Sequence, residues 1–128
     1  MDGSVSDSIN AFIAEYTRRY VAQDVDGVVE LCEAPFLAVR EGRPIHMADR
    51  DAVHEHFATV IGNYARAGFA RFAPVEIDTR ALGEKSAFTT VRWHAYDAAG
   101  NVARDSRTSY LLLATDSGWR FLAYTNHF

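Results

Sequence analysis

Little in this sequence can be cross-linked, and no stretch of it is apolar enough to cross a bilayer as a helix. Cys32 is the only cysteine in 128 residues, so no disulfide can form within the chain. Its apolar neighbours predict a small buried thiol, at home in a reducing compartment. No run approaches the ~18 consecutive apolar residues of a membrane helix. The opening residues, Met1-Asp2-Gly3-Ser4-Val5-Ser6-Asp7-Ser8, lack the basic and apolar regions of a secretory leader. The expectation is a cytoplasmic protein without a membrane partner.

Excess positive charge is also missing. Thirteen Lys and Arg stand against 17 Asp and Glu, a formal net charge of −4, and the signs are interspersed. This excludes nucleic acid as the expected partner, since phosphate-backbone binding needs a basic footprint. No GxxxxGK[ST] or GxGxxG loop offers a phosphate cradle, and no Gly-x-Ser-x-Gly offers a nucleophile. The five histidines are His46, His54, His56, His94 and His127, with no HExxH or HxxxH spacing. His54 and His56 stand two apart in a helical pattern and point in different directions. Neither a metal nor a cofactor is expected.

What the chain has is periodicity. Ile9, Phe12, Ile13, Tyr16 and Tyr20 recur at helical steps, predicting a helix over Ser6–Gln23 after a loose end at Met1–Ser4, with Ser4 and Asp7 in a capping-box spacing. Asp24 or Asp26 caps a short second helix through Val28, Val29, Leu31 and Cys32. Phe36–Val39 and Pro44–Met47 flank Glu41-Gly42 as a small hairpin. Asp49 caps a third helix with a stripe of Val53, His56, Phe57, Val60, Ile61 and Tyr64, stopped near Gly68. Phe69–Thr79 reads as a strand in which Pro74 marks an edge or a bulge. Three strands close the chain, Ala87–Tyr96, Val102–Thr115 and Trp119–Phe128, separated by turns at Gly100 and Gly118. Helices followed by four long antiparallel strands define an α+β domain, and 128 residues suit one domain spanning 1–128.

In order and spacing the chain resembles the NTF2-like superfamily, also called SnoaL-like or cystatin-like. The resemblance rests on Asp24-Val25-Asp26-Gly27-Val28-Val29-Glu30-Leu31 after a long first helix. It rests further on Asp49-Arg50-Asp51-Ala52-Val53-His54-Glu55-His56-Phe57 and on the closing Asp116-Ser117-Gly118-Trp119-Arg120-Phe121. It implies a curved sheet wrapped around the helices, a pocket at the wide end of the cone, and a homodimer through the outer sheet face. Enzymes of that superfamily often carry an Asp, His or Tyr on the hairpin after the second helix. Pro35-Phe36-Leu37-Ala38-Val39 has no titratable group, so no catalytic residue is transferred.

The aromatic residues carry the site expectation. Tyr16, Tyr20, Phe36, Phe57, Tyr64, Trp93, Tyr110 and Tyr124, with His46 and Asn126, are the candidates to line a cone pocket. A small apolar or carboxylate-bearing molecule is the expected ligand. Two other readings stay open: an isomerase, cyclase or dehydratase using His46, Tyr16 or His127 as acid–base groups, and a protein-interaction module. In the strand from Ala87, the set Ala87, Thr89, Val91, Trp93 and Ala95 should face the helices. Strict alternation puts Phe121 and Ala123 on one face of the last strand, and Leu122 and Tyr124 on the other. Its register decides whether Tyr124 and Asn126, or Thr125 and His127, face the pocket. Apolar residues on both faces of the last two strands predict a homodimer. Arg92, Arg107 and His127 form either an anion-binding cluster or ion pairs with Asp97 and Asp105.

Overall fold

The apolar stripe of the first helix reaches one turn further back than its capping signal suggests. Val5 packs on the core one turn before Ile9, and that contact carries the helix through Ser4. A computed structural model of the chain describes residues 2–127, with side chains from residue 4 onward. Met1 of the expected loose end and Phe128 of the expected last strand lie outside the described residues. The elements are α1 (Asp2–Val21), α2 (Val25–Glu30), β1 (Cys32–Arg40), β2 (Arg43–Met47), α3 (Arg50–Arg66), β3 (Arg71–Leu82), β4 (Ser86–Tyr96), β5 (Val102–Thr115) and β6 (Gly118–His127).

Asp24 is the cap of α2, accepting from the Gly27 backbone N–H at 3.0 Å. A Cβ at Gly27 would collide with that carboxylate. The helix ends at Glu30, before Cys32, because the Leu31 carbonyl is taken by the Phe121 N–H at 2.8 Å. Cys32 therefore opens a strand instead of closing a helix. It is buried, its thiol lies 3.5 Å from the Val28 carbonyl, and burial pushes its pKa up to about 12. Asp49 caps α3 through the Ala52 N–H at 2.9 Å.

All six strands join one sheet in the order β2-β1-β6-β5-β4-β3. The expected hairpin is not separate from the sheet: β1 runs parallel to β6, and every other pair is antiparallel. β3 is an edge strand, and its register shifts between Pro74 and Glu76, as suits a residue that cannot donate to a ladder. In β4, Ala87, Thr89, Val91, Trp93 and Ala95 are buried toward the helices.

The last strand departs from simple alternation. Leu112 pairs with Phe121 and Leu111 with Ala123, which leaves Leu122 as an extra residue in β6. This bulge resets the pleat. Phe121 and Tyr124 are consequently both buried on the inner face, where alternation separates them. Beyond the bulge Tyr110 pairs with Tyr124 and Thr108 with Asn126, so Tyr124 and Asn126 face inward and Thr125 and His127 outward. α1 packs on β3, α3 on β1, and α2 against α3. The densest core lies at the narrow end, where Ile9, Ile13, Val28 and Leu112 are fully buried. Among the described residues no helix is long and apolar enough to cross a membrane.

Candidate functional site

Inward-facing positions of β1, β4, β5 and β6 meet α1 and α3 at the wide end of the sheet, and the rings there leave a gap. Its walls enclose about 640 Å³ of atom-free space, part of it open solvent at the mouth, and about 60 Å³ accepts the centres of water-sized spheres. The inner volume holds roughly four waters at ~15 Å³ of such space each. Tyr16 and Tyr20 reach it from α1, Phe57 and Tyr64 from α3, and Trp93, Tyr110, Tyr124 and Asn126 from the sheet. Ring pairs in edge contact hold the wall, among them Tyr16 with Tyr20 at 5.5 Å and Tyr20 with Phe72 at 5.3 Å.

Buried tyrosines need hydrogen-bond partners, and these find one another. Trp93 Nε1 donates to the Tyr110 hydroxyl at 3.2 Å, and Thr108 Oγ1 donates to Asn126 Oδ1 at 3.0 Å. At the opposite wall Arg40 forks between two phenols. Its Nη1 donates to the Tyr124 hydroxyl and its Nη2 to the Tyr64 hydroxyl, each at 3.2 Å. His56 Nε2 lies 2.7 Å from the same Tyr124 oxygen.

The protonation states follow from burial. Desolvation, and then the neighbouring Arg40 cation, hold the His56 pKa down at about 4. Desolvation raises the Tyr124 pKa above the usual phenol value, although Arg40 pulls against it. At neutral pH Arg40 is a guanidinium cation, His56 a neutral imidazole and Tyr124 a protonated phenol. In one imidazole tautomer Tyr124 donates to His56; in the other His56 donates, and the Tyr124 O–H turns toward the cavity. In that second tautomer Tyr124 presents a donor hydroxyl to the cavity, with His56 behind it. Among the described residues the lining includes Arg40 and Arg104 and no Asp or Glu.

A family model described as NTF2-like protein (DUF6841) matches residues 6–128. The chain belongs to this NTF2-like family. No protein of curated function matches it. Solved structures of the same fold are numerous. An NTF2-like protein with a cystatin-like fold from Novosphingobium aromaticivorans superposes with a TM-score of 0.75 at 16% identity, covering 94% of this chain and 79% of that one. An NTF2-like protein of unknown function from Shewanella oneidensis MR-1 gives 0.74 at 14% identity, covering 94% and 97%. A protein of Streptomyces avermitilis, provisionally named a dehydratase of the NTF2-like family, gives 0.76 at 11% identity, covering 98% and 96%. At these identities the likeness shows the fold alone.

Within this NTF2-like cone two of the residues expected at the pocket lie elsewhere. Phe36 is buried one layer below, its ring against Phe57 and Tyr124. His46 is exposed on β2, opposite Leu37 and away from the helices. His127 also faces outward, at 3.0 Å from Ser109 Oγ. Arg92, Arg107 and His127 do fall in one row across β4, β5 and β6. Arg92 is nevertheless taken by Asp105 at 2.6 and 2.9 Å and by Glu76 at 2.9 Å. Asp97 pairs with none of them, because its carboxylate accepts from the Ala99 and Asn101 N–H groups of its own turn. Among the described residues no three His, Cys, Asp or Glu side chains converge as metal ligands.

The sequence reading missed Arg40, Arg104, Phe72 and Thr108 in the lining, and missed His56 as the partner of Tyr124. Parity is the signal that finds three of these. Phe36 and Ala38 face inward on β1, and period two carries Arg40 to the same side. The same step backward from Tyr110 finds Thr108 and Arg104.

Proposed function

We propose that this NTF2-like protein binds a small molecule with an apolar body in the cone cavity. The observation that carries this is a cavity walled by aromatic rings, with Arg40, Tyr64 and Tyr124 clustered on one side and the Thr108–Asn126 pair on the other. The earlier expectation of an apolar or carboxylate-bearing ligand is kept at this level. Native mass spectrometry of the purified protein, followed by NMR screening of a fragment library, tests it. A retained small molecule, or saturable shifts confined to Tyr16, Tyr20, Tyr64 and Tyr110, supports the reading. A library that moves none of these resonances sinks it.

A second reading is an acid–base enzyme of isomerase, cyclase or dehydratase type. The 2.7 Å contact between His56 and Tyr124 favours it, since Tyr124 lines the cavity and a second titratable group stands in hydrogen-bond reach behind it. Solvent deuterium entering carbons adjacent to the carbonyl of bound ketones, at a rate lost in Tyr124→Phe, supports it. Exchange no faster than in buffer across a panel of aromatic ketones counts against it.

The same proposal takes the outer sheet face as the contact between two copies. Phe88, Leu111, Ala123 and Leu37 are paired in register across β4, β5, β6 and β1, and Phe88 and Leu37 stay 42% and 39% exposed. This apolar row lies away from the helices, in reach only of another molecule. Sedimentation should show a dimer at micromolar concentration that Leu111→Glu converts to monomer. A wild-type monomer at that concentration removes this part of the proposal.

A further inference from the structure

We infer that the cavity selects a monoanionic ligand, a planar carboxylate carried on an apolar body, and that Arg40 with the Tyr64 and Tyr124 hydroxyls forms its cradle. This rests on reading the cavity as a small-molecule site and narrows that reading to one ligand class.

The chain carries a formal charge of −4, yet among the described residues the cavity lining holds the Arg40 cation and no acidic side chain. Low-dielectric walls strengthen the field of that cation at the cavity.

Arg40 is the sharper observation. Both of its terminal nitrogens are engaged, but only by neutral phenol oxygens at 3.2 Å, at the long end of the hydrogen-bond range. No carboxylate of the described residues lies within ion-pair distance of it, while Arg19 and Arg92 each hold two. His56, beside it, is held neutral by burial and by Arg40 itself. Among the described residues the Arg40 charge thus meets no opposite charge in the cavity wall. A half-buried guanidinium with this environment favours an anion brought from outside.

Geometry selects the type of anion. A guanidinium fork matches the two coplanar oxygens of a carboxylate. The flanking phenols accept from Arg40, which leaves the Tyr64 O–H to donate to a ligand oxygen, and the Tyr124 O–H as well in the tautomer in which His56 donates to it. The rings of Tyr20, Tyr64 and Phe72 supply an apolar wall for the rest of the molecule. Two neutral donors beside one cation suit a single negative charge better than a phosphate dianion, which draws on several cations or a helix N-terminus.

Matched pairs at constant ionic strength test this. Isotope-labelled protein is titrated with acetate, benzoate and phenylacetate, and with acetamide, benzamide and phenylacetamide. Benzoate or phenylacetate should bind at least about tenfold more tightly than its amide. Arg40→Gln should bring that ratio to about one. If Arg40→Gln does not fold, the wild-type Arg40 Nε–H resonance still decides: it should move with benzoate and stay with benzamide. Equal affinity within each pair, a preference that survives Arg40→Gln, or an Arg40 resonance blind to carboxylates overturns the anion assignment and leaves small-molecule binding standing. Silence of the cavity resonances to all six compounds overturns both.

Discussion

Two arginines on the same sheet, Arg40 inside the cone and Arg92 on its outer face, have opposite surroundings. Arg92 lies near solvent, where water would have satisfied it, and it also holds Glu76 and Asp105. Arg40 is half-buried, where a counter-charge matters most, and it holds only two tyrosines. Stability alone would place the carboxylates the other way round, since ion pairs in solvent contribute little and an uncompensated buried charge is costly. The inversion teaches that the outer ion pairs stand where they add little to stability, while the inner cation is held by neutral groups alone among the described residues.

The comparison can be broken or sharpened from the packed end of the cone outward. Phe121→Ala should have the largest effect, a loss of about 3–5 kcal/mol in denaturant unfolding, because Phe121 is 1% exposed and packs on Tyr16 and Tyr110. A loss under about 1 kcal/mol would mean that the narrow end is not the structural core assumed for it.

Acidification comes next. The His56 pKa is depressed from 6.5 to about 4 in the folded chain, so the unfolded chain binds more protons between those values. The contribution is therefore present above pH 6.5 and is lost as pH falls toward 4. With the partial exposure of His56 discounted for screening, the loss is about 1–2 kcal/mol, and His56→Gln should remove this part of the pH dependence. Identical stability–pH curves for wild type and His56→Gln over that window would refute it.

Arg40→Met should then stabilise the unliganded protein by about 1 kcal/mol, since it removes a cation with no opposite charge in the wall. A lower denaturation midpoint instead would show that the two phenols compensate Arg40 fully. Smallest of all is Arg92→Ala, which should leave the midpoint unchanged within error, because solvent already screens the pair. A clear drop there would erase the distinction between the two faces.

Much of the fold was legible locally. Helical stripes, the caps at Asp24 and Asp49, edge behaviour at Pro74 and the two glycine turns each depend on residues a few positions apart. Six of the candidate pocket residues, Tyr16, Tyr20, Phe57, Tyr64, Trp93 and Tyr110, line the cavity through helical stripes and strand parity, whereas Tyr124 and Asn126 line it because of the register beyond the Leu122 bulge. His46 was illegible because the β1–β2 register turns it outward, opposite Leu37. Arg40 was overlooked because charge on a strand reads as a solvated position unless the parity from Phe36 and Ala38 is carried through. The Leu122 bulge leaves no mark in an apolar run, where every register looks equally buried.

By itself, the sequence determined the α+β class, the inner face of β4 and the aromatic material of the cavity, because each follows from local period and the burial of apolar surface. Tertiary structure alone decided the chemistry. Parallel pairing of β1 with β6 sets Arg40 beside Tyr124, 84 positions away, and α3 brings His56 to the same oxygen across 68. One extra residue at Leu122 turned Tyr124 to meet them. Such meetings depend on strand order and register, which are long-range quantities, and no local spacing encodes which buried charge will be left without a partner.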